Sequence, residues 1–314
     1  AHGAFRPCID MPLPVPAASR PFLAGLVLAC LAACGGRETV RPEAPAATPV
    51  APAAPKPQPL RIGLALGGGA AKGFAHIGVI KVLRENNIPV NIVTGTSAGA
   101  VVGSLYASGM SPDRLELEAQ ILDQTNLVDL TLSTSGFIKG QKLQDFINAK
   151  VKNRQLQQLP IKFGAVATEF GTGRMVNFTQ GNTGQAVRAS VSIPNVFQPT
   201  VIGKQKYVDG GLTAPVPVTA ARNMGANFVI AVDISQRPAK GATGFLAQLD
   251  QSLNIMSVAA LNNELKKANV VITPQVQQLG AVGAFHQRDQ PINLGDDAAR
   301  QALPQIKAQL ANYR

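Results

Sequence analysis

The sequence predicts an α/β fold: a three-layer α/β/α arrangement built on a mostly parallel central sheet. Two strand-to-helix junctions and a long alternation of elements carry that expectation. The first junction leads from the apolar strand Leu60 to Leu66 through Gly67-Gly68-Gly69-Ala70-Ala71-Lys72-Gly73 into a helix from Phe74 to Glu85. The second leads from Val90-Asn91-Ile92-Val93-Thr94 through Gly95-Thr96-Ser97-Ala98-Gly99 into a small-residue helix ending at Ala107. Beyond them strands and helices keep alternating, as a parallel sheet clothed on both faces requires.

The later elements follow in order. Between Ser111 and Arg154 the rhythm lapses into a helical or irregular block, expected to cap the serine. Within it a helix from Gln141 to Asn153 places Leu143, Phe146, Ile147 and Val151 on one face. Lys139, Lys142, Lys150, Lys152 and Arg154 cluster on and beside it; either the helix packs on the core with a solvated back, or it offers a basic surface near a membrane. Strands resume at Phe163 to Ala167 and Met175 to Phe178, joined by Gly171-Thr172-Gly173 as a hairpin. A short strand ends at Tyr207-Val208-Asp209 before Gly210-Gly211. Asn227 to Val232 is a strand, Phe245 to Lys267 a long helix, and Val270 to Ile272 a last strand. Asp296 to Tyr313 reads as a closing helix that Pro304 breaks or kinks.

Three of these places carry chemistry. A serine two residues from a glycine on either side, between strand and helix, fits a nucleophile elbow, with Gly95 and Gly99 making room for the turn. The plain alternative is that Ser97 caps the following helix. Gly67, Gly68, Gly69 and Ala70 can aim successive backbone amides into one concavity at a helix start, where a phosphate or an oxyanion is held. Lys72, in the first turn, opposes the helix dipole, so an anion is expected beside it; Gly73 closes the loop. Asp209 at a strand end is the third. Histidines are scarce: His2, His76 and His286. An order of serine, acid, histidine would rest on His286 alone, so a Ser97–Asp209 dyad fits better. His76 is given a structural role beneath the glycine loop.

Glycine loop, Gly-x-Ser-x-Gly and Asp-Gly-Gly in this order resemble the patatin-like phospholipase family over roughly residues 60–235. Ala75-His76-Ile77-Gly78, Ala167-Thr168-Glu169 and Ser192-Ile193-Pro194 are similar to its bacterial members as well. One departure is visible: counting back from Gly73, the middle glycine of Gly-x-Gly-x-x-Gly is Ala70 here. The resemblance implies a patatin-like fold and a lipid acyl hydrolase, acting on phospholipids or lysophospholipids. Ser97 would be the nucleophile, Asp209 the base, and the amides of Gly67, Gly68, Gly69 and Ala70 the oxyanion donors. Lys72, Gly73, Gly95, Gly99, Gly210 and Gly211 would support them. No metal is indicated, because the histidines are scattered and no carboxylate cluster has ligand spacing, and no cofactor is expected. Hydrolysis of other esters or thioesters, and a lipid-binding envelope protein without turnover, are the competing readings. A dinucleotide module is disfavoured by the irregular glycine spacing.

The N-terminus carries a separate signal. Arg20 precedes the apolar run Phe22 to Ala33, too short to span a bilayer but suited to a cleaved signal peptide. Leu31-Ala32-Ala33-Cys34 resembles a bacterial lipobox, which implies lipidation of Cys34 after removal of residues 1–33. Residues 1–10 precede Met11, which reads as the natural start. Residues 34–59, rich in proline and alanine, read as a tether. The remainder, 60–314, reads as the catalytic domain, with a C-terminal helical extension from 236. The cysteines are Cys8, Cys30 and Cys34, so cleavage leaves only the lipidated one and no disulfide. No aspartate follows Cys34, which by resemblance to sorted lipoproteins points to the bacterial outer membrane. The net charge of +11 suits anionic lipid head groups. Nucleic acid is not expected as a partner: no motif supports it and aromatic residues are only 5%.

Overall fold

The computed structural model describes residues 59–121, 138–235, 245–279 and 288–313. Cys34, the leader, nearly all of the tether and His286 lie outside the described residues. The centre is an eight-stranded mixed sheet in the order β5-β6-β3-β2-β1-β7-β8, with β4 also paired to β3. Its strands are β1 Ile62–Leu66, β2 Ile92–Thr96, β3 Lys162–Glu169, β4 Met175–Phe178, β5 Thr200–Ile202, β6 Gln205–Asp209, β7 Phe228–Val232 and β8 Val270–Ile272. β3, β2, β1, β7 and β8 run parallel, whereas β4, β5 and β6 form antiparallel pairs at one side.

Strand alternation divides the core into two layers. Ile62, Leu64 and Leu66 of β1 join Val93, Phe228, Ile230 and Val232 on one face. Ala65, Ile92, Val229 and Ala231 point to the other. The first face is covered by α1 Ala75–Glu85, α2 Ala98–Ala107, α3 Pro112–Ile121 and, late in the chain, α8 Asp289–Ala311. The second is covered by α6 Val218–Asn223 and by Leu261 of α7 Phe245–Leu265. Two further helices, α4 Gln141–Lys150 and α5 Thr183–Ser190, pack on each other, α5 also against β3. This is the three-layer α/β/α fold that the alternation predicts.

Some expectations need correction. The closing helix starts at Asp289 rather than Asp296 and continues past Pro304, because Ala299 and Ile306 on either side of the proline are buried against the core. Its early turns include Gly295, where an added Cβ would stand 2.0 Å from the Ala75 carbonyl oxygen; only glycine lets α8 lie so close to α1. The basic helix, by contrast, packs on the core by its apolar face, as the plainer of its two readings has it. Leu143 and Ile147 are buried, and Lys150 reaches Glu118 at 2.6 Å, which Arg114 also meets at 2.7 Å. Residues 122–137 of the block expected to cap the serine lie outside the described residues. Its described parts do not line the cavity beside Ser97; α7 does.

Candidate active site

The register of β3 explains how Ser97 and Asp209 meet. One edge of β3 carries β4, from Ala165 to Thr168. The opposite edge carries β2 as far as Thr96, paired with Val166, and then β6 from Asp209, paired with Ala167. Two strands thus arrive head to head on one edge, at adjacent positions, and the residues at their tips are the serine and the aspartate. Threonines fasten the junction. Thr96 Oγ1 donates to the Ala214 carbonyl at 2.7 Å, and Thr168 Oγ1 to the Asp209 carbonyl at 2.9 Å.

Ser97 occupies a backbone conformation that side chains rarely adopt, φ 52°, ψ −120°. It stands at the N-cap of α2, yet its side chain makes no cap hydrogen bond. The capping alternative therefore fails. Glycines allow the elbow: an added Cβ would lie 2.3 Å from the Gly99 carbonyl oxygen at Gly95, and 2.1 Å from that of Leu66 at Gly99. At Gly73 it would lie 2.6 Å from Ala98 Cβ, so the glycine loop nests against the first turn of α2. Gly210 presses on β3, 2.2 Å from the Val166 oxygen by the same measure.

Asp209 is buried. Its Oδ1 accepts the Gly211 amide at 2.6 Å, and Oδ2 has no closed partner among the described residues. Burial pushes the carboxyl up to about 6, against the opposing pull of the Gly211 amide and of a hydrogen bond from Ser97. The serine hydroxyl and the carboxylate are thus neighbours, as proton transfer between them requires.

The glycine loop corrects part of the sequence reading. The Gly67 amide extends the β1–β7 ladder to the Val232 oxygen at 3.0 Å, and the Gly68 amide donates to the Pro215 oxygen at 2.9 Å. Both donors are engaged. Gly68 instead serves by closeness, since an added Cβ would meet Ser97 Cβ at 3.3 Å. The amides of Gly69 and Ala70 have no acceptor among the described residues. Ala70 holds φ 50°, the left-handed conformation that a glycine would adopt freely. His76 supports the loop from below: its Nε2–H donates to the Gly67 oxygen at 2.8 Å, and burial pushes it down to about 4, so the ring is neutral. Lys72 is buried in the cavity wall.

That cavity measures about 110 Å³. Gly68, Gly69 and Ala70 line it on one side, and Ile193, Pro194 and Leu212 on another. Ser235, whose buried hydroxyl has no partner among the described residues, and Asn254 and Ser257 of α7 complete the polar part. Among the described residues no group of three His, Cys, Asp or Glu is placed to hold a metal ion.

Sequence reasoning missed Ser190. Its hydroxyl donates to the Val166 oxygen at 2.5 Å and accepts the Ser97 amide at 2.9 Å, tying the elbow to β3. No motif marks it; only the neighbouring Ser192-Ile193-Pro194 hints at this segment. Ser190→Ala is expected to leave the Ser97 amide unpaired at a cost of about 1–3 kcal/mol. Urea unfolding should show that loss, and labelling of Ser97 by an active-site probe should slow.

The family model for patatin-like phospholipases matches residues 64–222. An uncharacterized NTE family protein of Mycobacterium tuberculosis is 36% identical over 177 residues, 56% of this chain and 49% of the relative. Patatin-like phospholipase domain-containing protein 7 of Rattus norvegicus is 34% identical over 192 residues, 59% of this chain but 14% of that protein. The chain therefore spans half or less of the length of these curated relatives. Among solved structures, the type III effector ExoU superposes with a TM-score of 0.48 at 16% identity, covering 79% of this chain and 53% of that one. The family match extends from β1 through Ser97 and Asp209 to α6, and the chain belongs to the patatin-like phospholipase family.

Proposed function

We propose that the protein is a lipid acyl hydrolase of the phospholipase A or lysophospholipase type, working through a Ser97–Asp209 dyad. The observation that carries this reading is the elbow: a strained serine that caps nothing, set against a buried carboxylate with raised basicity. In the first half-reaction Asp209 takes the Ser97 proton as Oγ attacks the ester carbonyl. The amides of Gly69 and Ala70 receive the oxyanion, each donor lowering the barrier by about 2.7–4 kcal/mol. The proton passes to the departing alcohol, leaving an acyl-serine. Asp209 then deprotonates water, which attacks the acyl-serine and releases the fatty acid as the proton returns to Ser97. A carboxyl near 6 is ionised at neutral pH and still basic enough to serve twice.

Labelling of the full chain with a fluorophosphonate tests the nucleophile. Wild type should label and Ser97→Ala should not; a folded wild type that resists the probe would leave the lipid-binding reading in its place. The small cavity supports a second reading, because 110 Å³ is below the roughly 300–1,000 Å³ of ordinary ligand sites. It holds an ester carbonyl and a few carbons, as a short-chain esterase or thioesterase requires. A chain-length series of esters separates the two.

Export and anchoring form a separate part of the proposal. A lipidated Cys34 would hold the catalytic domain at the bacterial envelope, at the outer membrane, through the tether of residues 34–59. Cys34→Ser is expected to move the protein out of the membrane pellet; retention there would mean another anchor.

A further inference from the structure

The hairpins β3–β4 and β5–β6 project from the site end of the sheet. β3 runs parallel to β1 and β2, so its carboxyl end at Glu169 lies beyond the ends that carry Gly67 and Ser97. β6 runs the opposite way, from Gln205 outside to Asp209 at the site. Three strand steps separate Lys206 from Asp209, about 10 Å. The first turn is fastened to the second hairpin, since the Phe170 amide donates to the Lys206 oxygen of β6 at 2.8 Å. The second hairpin also continues from the cavity wall, because Ile193 and Pro194 shortly precede β5.

What these turns expose is unusual for this chain. Phe170 is 59% exposed and Val201 55%, two of the few large apolar side chains that the described residues leave in water. Lys204 and Lys206 are exposed beside them, and neither has an ion-pair partner among the described residues. The one acidic side chain on these two hairpins outside the site, Glu169, is neutralised by Arg174 at 3.0 Å and held below the usual carboxylate range by the Thr172 hydroxyl and by Arg174. An added Cβ at Gly171, Gly173 or Gly203 would meet nothing within 4 Å, so the turns are open to solvent.

We propose that this pair of hairpins is a docking surface for an anionic phospholipid bilayer and brings the Ser97 end of the sheet onto the membrane. The inference rests on the lipid-hydrolase reading above and adds the surface by which substrate is reached. Two apolar side chains separated by lysines offer too little continuous apolar area for a stable protein interface. They suit a fluid surface, where aromatic side chains settle among head groups and lysines are drawn to negative charge. Each lysine near such a surface strengthens binding about fivefold, the pair about thirtyfold.

The chain contains no tryptophan, so Phe170→Trp creates a lone reporter. The full chain carrying Ser97→Ala, Cys34→Ser and Phe170→Trp is mixed with phosphatidylglycerol or phosphatidylcholine vesicles. A blue shift with phosphatidylglycerol, weakened by salt and small with phosphatidylcholine, is the expected result. In the same background without Phe170→Trp, Leu117→Trp on α3 should give no shift. Indole emission of the Phe170→Trp protein unmoved by phosphatidylglycerol, or shifts of equal size at both sites, would overturn the proposal. In the Cys34→Ser chain with Ser97 intact, Lys204→Gln with Lys206→Gln should keep turnover of a soluble short-chain ester and lose about thirtyfold on phosphatidylglycerol vesicles at low salt. Equal loss on both substrates would overturn it as well. Docking is read here without turnover, and serine labelling is read without vesicles, so failure of one leaves the other legible.

Discussion

Asp209→Asn is expected to lower turnover about a thousandfold or more while making the protein more stable at neutral pH. Asparagine fills the same space and can still accept the Gly211 amide, but it cannot take the serine proton. The stability gain follows from linkage. Between the ordinary value of 3.8 and about 6 the native state keeps a proton that the unfolded state has released, so stability falls as pH rises through this window. Above it, the ionised carboxylate costs about 3 kcal/mol. His76 works in the opposite sense. Between 6.5 and about 4 the unfolded chain takes up a proton that the buried native ring refuses, so stability falls as pH drops, again by about 3 kcal/mol. In wild type the two slopes oppose each other between pH 4 and 6. Urea midpoints should therefore change little there, whereas Asp209→Asn should expose the histidine slope and climb with pH. In the same terms kcat/KM of wild type should rise with an apparent pKa near 6. A variant no more stable than wild type at neutral pH would show that the carboxylate is better solvated than the structure has it.

Gly99→Ala has the second largest expected effect. One methyl group would stand 2.1 Å from the Leu66 oxygen and 2.8 Å from the Gly67 oxygen, both backbone atoms with no freedom to retreat. β1 and α2 would have to part, taking the elbow and the glycine loop with them. A loss of about 4 kcal/mol or more is expected, together with loss of fluorophosphonate labelling in whatever protein still folds. Gly171→Ala is the comparison. Nothing lies within 4 Å of its added carbon, so its stability in urea should stay within about 0.5 kcal/mol of wild type.

The parts of the fold that the sequence makes legible are those whose signal is local. β1 and β7 are unbroken apolar runs because a parallel strand is buried on both faces, and the elbow announces itself by its glycines. What stays hidden depends on distant partners. α5, with the sequence Thr-Gly-Gln-Ala-Val-Arg-Ala-Ser, has no broad apolar stripe to recognise; Asn182 caps it, and packing on β3 and α4 buries it. The start of α8 is obscured by Pro291 and Gly295, and the glycine is there for a contact with α1 made across most of the chain. The glycine loop shows the same limit at the site. A run of glycines marks a place where amides can gather, but which amides remain open depends on the register of β1 on β7 and on Pro215. Ser190 is the extreme case, an ordinary helix-end serine given meaning only by the two backbone groups that it joins.

The meeting of β2 and β6 on one edge of β3 bears on when the molecule becomes competent. The serine follows β2, early in the chain, on a parallel ladder with β1 and β3. Its base ends β6, far later in the chain, on a strand whose partners are β3 and β5. A sheet without β6 beside β3 would hold a serine without a proton acceptor and would be chemically silent. During refolding, circular dichroism should recover before probe labelling does. Catalytic competence is in this sense a certificate of completed assembly, issued only where both strands stand beside β3.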